Sequence, residues 1–138
     1  MRIFVIDDHP IVRTGLAAML GAGPEIEWVG EAGSGAEGIP LACEKRADVV
    51  LMDLMLPGID GIECTRALLQ RAPAMRVVMI SSRVTGSDVQ RALAAGALGY
   101  VTKTVSAREL AEVLRSVHAG RPMLSAEASA AVAAEKPP

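Results

Sequence analysis

The stretch "ADVVLMDLMLPGIDGIE", residues 47–63, decides how the chain folds. It begins with a run of large apolar residues, Val49 to Met52, which predicts a buried strand. The aspartate that follows, Asp53, has no basic neighbour in the sequence. Desolvating a carboxylate at the end of a buried strand costs several kcal/mol unless something compensates it. The position of Asp53 therefore calls for a functional explanation.

Similar apolar runs recur along the chain and alternate with patterns typical of amphipathic helices. The predicted strands are "RIFVI" (2–6), "IEWVGEA" (26–32), "DVVLM" (48–52), "RVVMI" (76–80) and "LGYVT" (98–102). The predicted helices lie near residues 10–22, 34–46, 61–72, 86–96 and 106–119. Five β/α units with nearly continuous apolar strands predict the α/β class, with a doubly wound, five-stranded parallel sheet covered by helices on both faces.

Several predicted helices begin with residues that stabilise a first turn. These are Pro10 in the first helix, Asp60 with Glu63 in the third, and Ser106 with Glu109 in the fifth. The fourth helix has a weaker apolar face, on which Val89 and Leu93 are the main predicted anchors. We therefore expect the fourth helix to be the least firmly held element.

Composition limits the class of protein. The length of 138 residues suits one domain. Hydrophobic residues make up 51% of the chain and aromatic residues only 2%, which predicts an aliphatic core. A net charge of −2 and a pI near 5.7 argue against a nucleic-acid-binding surface. Cys43 and Cys64 stand alone, and the sequence shows neither a signal peptide nor a segment long enough to cross a membrane. We therefore expect a cytoplasmic protein with no membrane partner.

The carboxyl ends of the predicted strands gather the acidic residues. In a doubly wound sheet of order 2-1-3-4-5, strands 1 and 3 are neighbours, and ligands bind beside that switch point. Asp7 and Asp8 end the first strand and Asp53 ends the third, so the three carboxylates should converge. Carboxylates repel one another unless a cation intervenes, and an all-oxygen ligand set suits Mg²⁺ or Mn²⁺.

Two further residues fall at the same edge of the sheet. Ser81 ends strand four and Lys103 follows strand five. With a divalent cation, a lysine ammonium and a serine hydroxyl can hold the oxygens of a phosphoryl group. Asp53 is the central carboxylate and the candidate nucleophile, since a carboxylate can be phosphorylated as an acyl phosphate.

The motifs that carry these residues resemble a known family. The segments "VIDDHPIVRTGL", "VVLMDLMLPGIDGIE", "VVMISS" and "GALGYVTK" are similar to the receiver domain of two-component response regulators, which has the flavodoxin-like, CheY-like (βα)5 fold. The stretch "DDHPIVRTGL" and the ending "HAGRPMLS" resemble the NarL/LuxR-type transcription factors, in which a receiver precedes a DNA-binding helix-turn-helix.

This resemblance implies a role for each site residue. Asp53 would take the phosphoryl group from a phosphohistidine on a sensor histidine kinase. Asp8, Asp53 and the backbone carbonyl of Met55 would bind Mg²⁺, with Asp7 helping through water. Lys103 would pair with the phosphoryl oxygens. The protein would then be a phosphorylation-dependent switch and not a turnover enzyme.

The resemblance also implies how the signal leaves the site. Ser81 would follow the phosphoryl oxygens and Tyr100 would change its rotamer, which would alter the face of helix four, strand five and helix five. The active form would be a homodimer, with helices one and five as a competing surface. A receiver over 1–120 would be followed by a linker over 121–138, formed by an Ala-rich helix and a Pro-rich end, toward a DNA-binding domain absent from this chain. A single-domain receiver is the alternative.

Two positions depart from the family's pattern. Many receivers have proline after the strand-five lysine, whereas Thr104 follows Lys103 here. The residue two positions after the phosphorylated aspartate is often polar, and here it is Met55. Its side chain should border the path of an attacking water and so affect the lifetime of the phosphorylated form.

Three alternatives compete with this interpretation. "GSGAEG", Gly33 to Gly38, has the spacing of a dinucleotide fingerprint, although Ser34 and Glu37 also form a capping box. The motif follows the second strand, whereas a dinucleotide fingerprint follows the first. A flavodoxin would need a hydroxyl-rich loop after strand one. A phosphatase would need a second aspartate where Met55 stands.

Two histidines and one arginine are not assigned a direct role in the chemistry of the site. We expect His9 to lie at a solvated helix start, in preference to a metal-ligand role. His118 is expected to favour the negative end of the last helix. Arg83, two residues after Ser81, is expected to border the site.

Overall fold

The apolar runs form one parallel sheet in the computed structural model, which describes residues 1–21 and 24–135. The strands are β1 (Arg2–Ile6), β2 (Glu27–Ala32), β3 (Val49–Asp53), β4 (Arg76–Ser81), β5 (Gly99–Thr102) and β6 (Met123–Leu124). The helices are α1 (Pro10–Leu20), α2 (Gly35–Glu44), α3 (Gly61–Arg71), α4 (Gly86–Ala94), α5 (Ala107–His118) and α6 (Ala126–Glu135). The predicted end of the first helix, residue 22, lies outside the described residues.

The doubly wound parallel sheet is confirmed, and its order is β2-β1-β3-β4-β5-β6. The prediction of five strands missed the sixth. In β6, Met123 and Leu124 pair in parallel with Gly99 and Tyr100 of β5. Two residues make too short an apolar run to mark a strand in the sequence, because their place depends on main-chain pairing with β5.

Alternate residues of each strand point to opposite faces of the sheet. Val50 and Met52 belong to an apolar cluster that contains residues of α2, α3, α4 and α6. Val49 and Leu51 belong to a second cluster, which packs against α1 and α5. The core is aliphatic as predicted. Within the described parts of the chain, no helix combines the length and the apolarity that a membrane crossing requires.

The predicted helix starts are confirmed. Asp60 Oδ1 accepts a hydrogen bond of 2.9 Å from the backbone N–H of Glu63, and Ser106 Oγ accepts one of 3.1 Å from that of Glu109. Pro10 occupies the first turn of α1, where its missing N–H costs no hydrogen bond. These contacts fix where three helices leave the loops at the carboxyl edge of the sheet.

The apolar anchors of α4 differ from the prediction. Val89 is buried, but Leu93 is 37% exposed and Ala92 is buried in its place. Positions 89 and 92 lie three residues apart, so they share the face that meets the sheet. The selection of Leu93 was wrong because hydrophobicity alone favoured the larger side chain over the alanine beside it.

The C-terminal segment covers α4. Helix α6 packs against α4 and β5, with Ala128 fully buried between them. A Cβ atom at Gly86, the first residue of α4, would lie 2.8 Å from the carbonyl oxygen of Ala131 and 2.7 Å from Glu135 Cδ. The two helices therefore approach closely only because residue 86 has no side chain.

Replacing Gly86 with alanine is expected to lower the free energy of unfolding by roughly 1–2 kcal/mol, because the methyl group overpacks the contact with α6. The same change in a chain shortened to end at Ser125 should be neutral or stabilising by up to about 1 kcal/mol, since alanine is the better helix former. Denaturant unfolding of the four proteins measures both effects. Equal stabilisation of the long and short chains would contradict the packing described.

Candidate functional site

The sheet order brings the predicted carboxylates together. Ile6 of β1 pairs with Met52 of β3, so the residues that follow them meet at one edge. Ligand atoms of Asp7, Asp8, His9 and Asp53 all lie within 4.8 Å of one another. Asp7 and Asp8 lie in the turn between β1 and α1, and Asp53 is the last residue of β3.

Two of these carboxylates are deeply buried. Asp7 is 0% exposed and Asp53 is 1% exposed, whereas the side chain of Asp8 is 35% exposed. Burial raises the pKa of Asp53, and the nearby Asp7 carboxylate raises it further. The backbone N–H of Met55, 3.1 Å from Asp53 Oδ1, and the Lys103 ammonium oppose this effect on the pKa but do not cancel it.

Lys103 supplies positive charge to the cluster. Its Nζ atom lies 3.1 Å from Asp7 Oδ2 and 3.3 Å from Asp53 Oδ2. The contact with Asp7 is an ion pair without hydrogen-bond geometry, so Asp7 Oδ2 is buried with no hydrogen-bond partner among the described residues. One ammonium contacts two of the three carboxylates, and a divalent cation would supply the charge that the cluster lacks.

His9 lies in this cluster, although we expected only a solvated helix start. Its side chain is 57% exposed, yet its Nδ1 atom lies 3.1 Å from both Asp7 Oδ1 and Asp8 Oδ1. The same nitrogen is 3.9 Å from Asp53 Oδ2 and 3.4 Å from Lys103 Nζ. The position of the ring could not be predicted because it depends on a side-chain rotamer and not on spacing along the chain.

Ser81 and Tyr100 meet at one loop residue. Ser81 is fully buried at the end of β4, and its hydroxyl accepts a hydrogen bond of 3.1 Å from the backbone N–H of Arg83. Tyr100 is also fully buried, and its hydroxyl donates a hydrogen bond of 3.1 Å to the Arg83 carbonyl oxygen. Burial raises the pKa of Tyr100, so its hydroxyl remains a donor at neutral pH.

The side chain of Arg83 turns toward α4. Its Nε and Nη2 atoms lie 3.2 Å and 3.1 Å from Asp88 Oδ2, and Asp88 is almost fully buried. Arg91 approaches the other oxygen of Asp88 at 3.5 Å. The loop that contacts both Ser81 and Tyr100 is thus tied to the first turn of α4.

The two positions that depart from the family's pattern, Met55 and Thr104, follow closely after Asp53 and Lys103 in the chain. The Met55 side chain is 58% exposed, and its backbone N–H holds Asp53. The hydroxyl of Thr104 lies 3.1 Å from that of Thr102, at the end of β5. A thioether cannot transfer a proton, so Met55 offers nothing to the general acid chemistry that a phosphatase needs.

The glycine-rich motif has a structural role. Ser34 Oγ accepts a hydrogen bond of 3.3 Å from the backbone N–H of Glu37, which confirms the capping interpretation. A Cβ atom at Gly35 would collide with Cys64 Sγ, and one at Gly38 would lie 2.5 Å from Ile6 Cδ1. The absence of a side chain at these glycines lets α2 pack closely against the sheet and α3. The dinucleotide interpretation is not needed to explain them.

The family model described as the response regulator receiver domain matches residues 3–115. The chain is 41% identical over 132 residues to the transcriptional regulatory protein LiaR of Bacillus subtilis (strain 168), covering 96% of this chain and 63% of that protein. It is 42% identical over 135 residues to the DNA-binding transcriptional activator DevR/DosR of Mycobacterium tuberculosis, covering 98% of this chain and 62% of that protein. The chain therefore spans about three fifths of the length of these relatives.

A solved structure shares the whole architecture. The LuxR-family two-component response regulator from Aurantimonas sp. SI85-9A1 superimposes with a TM-score of 0.92 at 37% identity, covering 97% of this chain and 96% of that one. The matched region therefore includes nearly all of the present chain.

Proposed function

Because this chain belongs to the response regulator receiver family, we propose that Asp53 accepts a phosphoryl group from a phosphohistidine on a sensor histidine kinase. The observation that supports this proposal is the environment of Asp53. It is a buried carboxylate, at the carboxyl end of the central strand, that faces a second buried carboxylate and one lysine ammonium. The modification would switch a transcription-regulating output domain, as the NarL/LuxR-type relatives suggest.

The transfer step forms one bond and breaks one. A carboxylate oxygen of Asp53 attacks the phosphorus atom, and the bond from phosphorus to the donor imidazole nitrogen breaks. The other ring nitrogen of the phosphohistidine carries a proton before the transfer, so when the electron pair of the broken bond stays on the donor nitrogen, the donor leaves as a neutral imidazole. Lys103, 3.3 Å from Asp53 Oδ2, would neutralise charge on the phosphoryl oxygens during this step.

The residues at the site fit a divalent cation. Asp8, Asp53 and the backbone carbonyl of Met55 would hold Mg²⁺, with Mn²⁺ as an alternative, and Asp7 would contribute through water. The buried Asp7 Oδ2, which has no hydrogen-bond partner in the described structure, supports this assignment. When bound, the ion would supply Lewis-acid stabilisation of phosphoryl charge.

We propose that the modification is transmitted through the Arg83 loop. Drawing the Ser81 hydroxyl toward the phosphoryl oxygens would break its bond to the Arg83 N–H and loosen the Arg83 carbonyl that holds Tyr100. Because Arg83 is paired with Asp88, the first turn of α4 would move with the loop. This is a two-state element biased by a local charge, so a few kcal/mol of differential binding suffice.

Self-association is the expected output of this change. The face of α4, β5 and α5 is partly covered by α6, so dimerisation through α4 requires α6 to move. The competing face of α1 and α5 includes Ile11, which is 87% exposed. DNA would be bound only through a further helix-turn-helix domain, as the resemblance to NarL/LuxR-type regulators implies. The proposal also includes a cytoplasmic location.

Beryllofluoride with Mg²⁺ is expected to raise the dimer fraction of the parent and to shift amide resonances in residues 84–104 and in α6. Ser81→Ala should blunt both effects, because the hydroxyl that senses the phosphoryl oxygens is gone. Sedimentation and amide spectra with and without beryllofluoride are the measurements. An unchanged monomer fraction together with unmoved amides in 84–104 would contradict this path.

The proposed function is tested by incubating the protein with acetyl phosphate and Mg²⁺. We expect one phosphoryl group per chain, carried as an acyl phosphate that survives acid better than base. The group should be lost slowly to water, without the repeated turnover of a phosphatase. A protein that takes up no phosphoryl group, or that hydrolyses the donor catalytically, would overturn the proposal.

A further inference from the structure

We propose that His9 is an additional metal ligand, which makes the acidic site accept borderline divalent cations such as Zn²⁺ and Co²⁺ as well as Mg²⁺. The inference rests on the proposed metal site and concerns which ions that site selects. It starts from the position of one ring nitrogen among the carboxylates and from the buried Asp7 Oδ2, which has no hydrogen-bond partner among the described residues.

The spacing of the polar atoms suits a shared cation. His9 Nδ1 lies 3.1 Å from Asp7 Oδ1 and 3.1 Å from Asp8 Oδ1. Ligands at neighbouring corners of an octahedron with bonds of about 2.1 Å are separated by roughly 3 Å. His9 Nδ1 therefore lies from Asp8 Oδ1 at the distance of a neighbouring ligand, and from Asp53 Oδ2, the other carboxylate proposed to hold the ion, at 3.9 Å.

The side chain of His9 does not cap the helix that it begins, and its Nδ1 contacts are to Asp7 and Lys103 at the cluster itself. His9 is the N-cap residue of α1, yet its side chain accepts no hydrogen bond from the first turn of that helix, all of which the structure describes. The ring turns away from the helix that it begins and toward the acidic cluster. Its backbone N–H instead donates to Asp7 Oδ1 at 2.8 Å, so Asp7 stays in place whatever side chain stands at position 9.

The chemistry of the ligands determines which ions would bind more tightly when His9 coordinates. Mg²⁺ prefers oxygen and gains little from an imidazole, whereas Zn²⁺ and Co²⁺ bind imidazole nitrogen well. The Lys103 ammonium, with Nζ 3.4 Å from His9 Nδ1, also contacts the Asp7 carboxylate. A bound divalent ion would take over part of the charge neutralisation that this ammonium provides. A carboxylate site with one imidazole should therefore favour Zn²⁺ more strongly than carboxylates alone.

The chain contains two histidines, which provides a matched control. His118 lies at the end of α5, with its Nε2 atom 3.8 Å from Asp48 Oδ2, and contributes no atom to the acidic cluster. With ¹⁵N-labelled histidine, Zn²⁺ should shift the Nδ1 resonance of His9 and leave His118 unmoved, whereas Mg²⁺ should not shift Nδ1 by direct coordination. Calorimetry should show Zn²⁺ affinity lowered on the order of tenfold or more in His9→Gln and unchanged in His118→Gln, with Mg²⁺ affinity nearly constant in both.

The outcomes separate this inference from the proposed function. Zn²⁺ binding that leaves the His9 Nδ1 resonance unmoved would overturn the ligand role, as would an equal loss of Mg²⁺ and Zn²⁺ affinity in His9→Gln. A parent protein that binds no Mg²⁺ would instead overturn the metal site on which the proposed function depends. Selective loss of Zn²⁺ affinity in His9→Gln supports the inference.

Discussion

The Asp53→Asn protein is expected to take up no phosphoryl group from acetyl phosphate under conditions that modify the parent completely. An amide is a poor nucleophile toward phosphorus, and no other carboxylate in the described structure is held by both Lys103 and the Met55 N–H. Asp60→Asn is the matched control. Asp60 is a carboxylate on the same edge of the sheet, and asparagine also caps a helix well, so this variant should be modified like the parent.

The loss in Asp53→Asn should not result from unfolding. The pKa of Asp53 is raised in the folded protein, so ionisation of this group lowers stability as the pH rises above the usual range for aspartate. Asparagine stays neutral, can still accept the hydrogen bond from the Met55 N–H, and removes the repulsion with Asp7. At neutral pH without Mg²⁺, thermal unfolding of Asp53→Asn should therefore occur at or above the temperature of the parent. Phosphorylation of the variant at the parent's rate would contradict the assignment.

The second large effect is expected in Asp8→Ala, which should lose Mg²⁺ binding. Asp8 is the least buried of the three carboxylates, so its direct coordination costs least in desolvation. Without it, the two buried carboxylates are left with the Lys103 ammonium, which already lies within 3.3 Å of both. Phosphorylation by acetyl phosphate should then slow by a factor on the order of 100 or more, as expected when charge stabilisation is removed from a transition state.

Calorimetry with Mg²⁺ measures the first effect and the rate of mass increase measures the second. Asp60→Asn should again behave like the parent in both measurements. If Asp8→Ala binds Mg²⁺ as tightly as the parent, the ion lies elsewhere and the ligand assignment is wrong. If Mg²⁺ binding is lost but the rate is unchanged, the ion has no part in phosphoryl transfer.

The features that depend on long apolar runs could be predicted from the sequence. The run from Val49 to Met52 is buried in full, and the order of the strands then decides that Asp7 and Asp53 meet. Neighbouring strands end at the same edge, so no side-chain detail was needed for that step. The prediction of the acidic cluster succeeded because topology alone determines it.

Features that depend on tertiary packing could not be predicted in this way. The short strand β6 exists through its pairing with β5, and α6 is held by the close approach of α4 at Gly86. The prediction of Leu93 as an anchor of α4 was wrong because the sequence shows hydrophobicity but not which helix face meets the sheet. The ring of His9 entered the site through a rotamer that spacing cannot reveal.

The most direct test of the central claim is to locate the phosphoryl group in the parent protein. After reaction with acetyl phosphate and Mg²⁺, borohydride reduces an acyl phosphate to an alcohol and leaves phosphoserine unchanged. Peptide mass spectrometry should then find the reduced residue at position 53 alone. Phosphate retained on Ser81 or Ser82, or reduction at Asp7 or Asp8 in place of Asp53, would contradict the account.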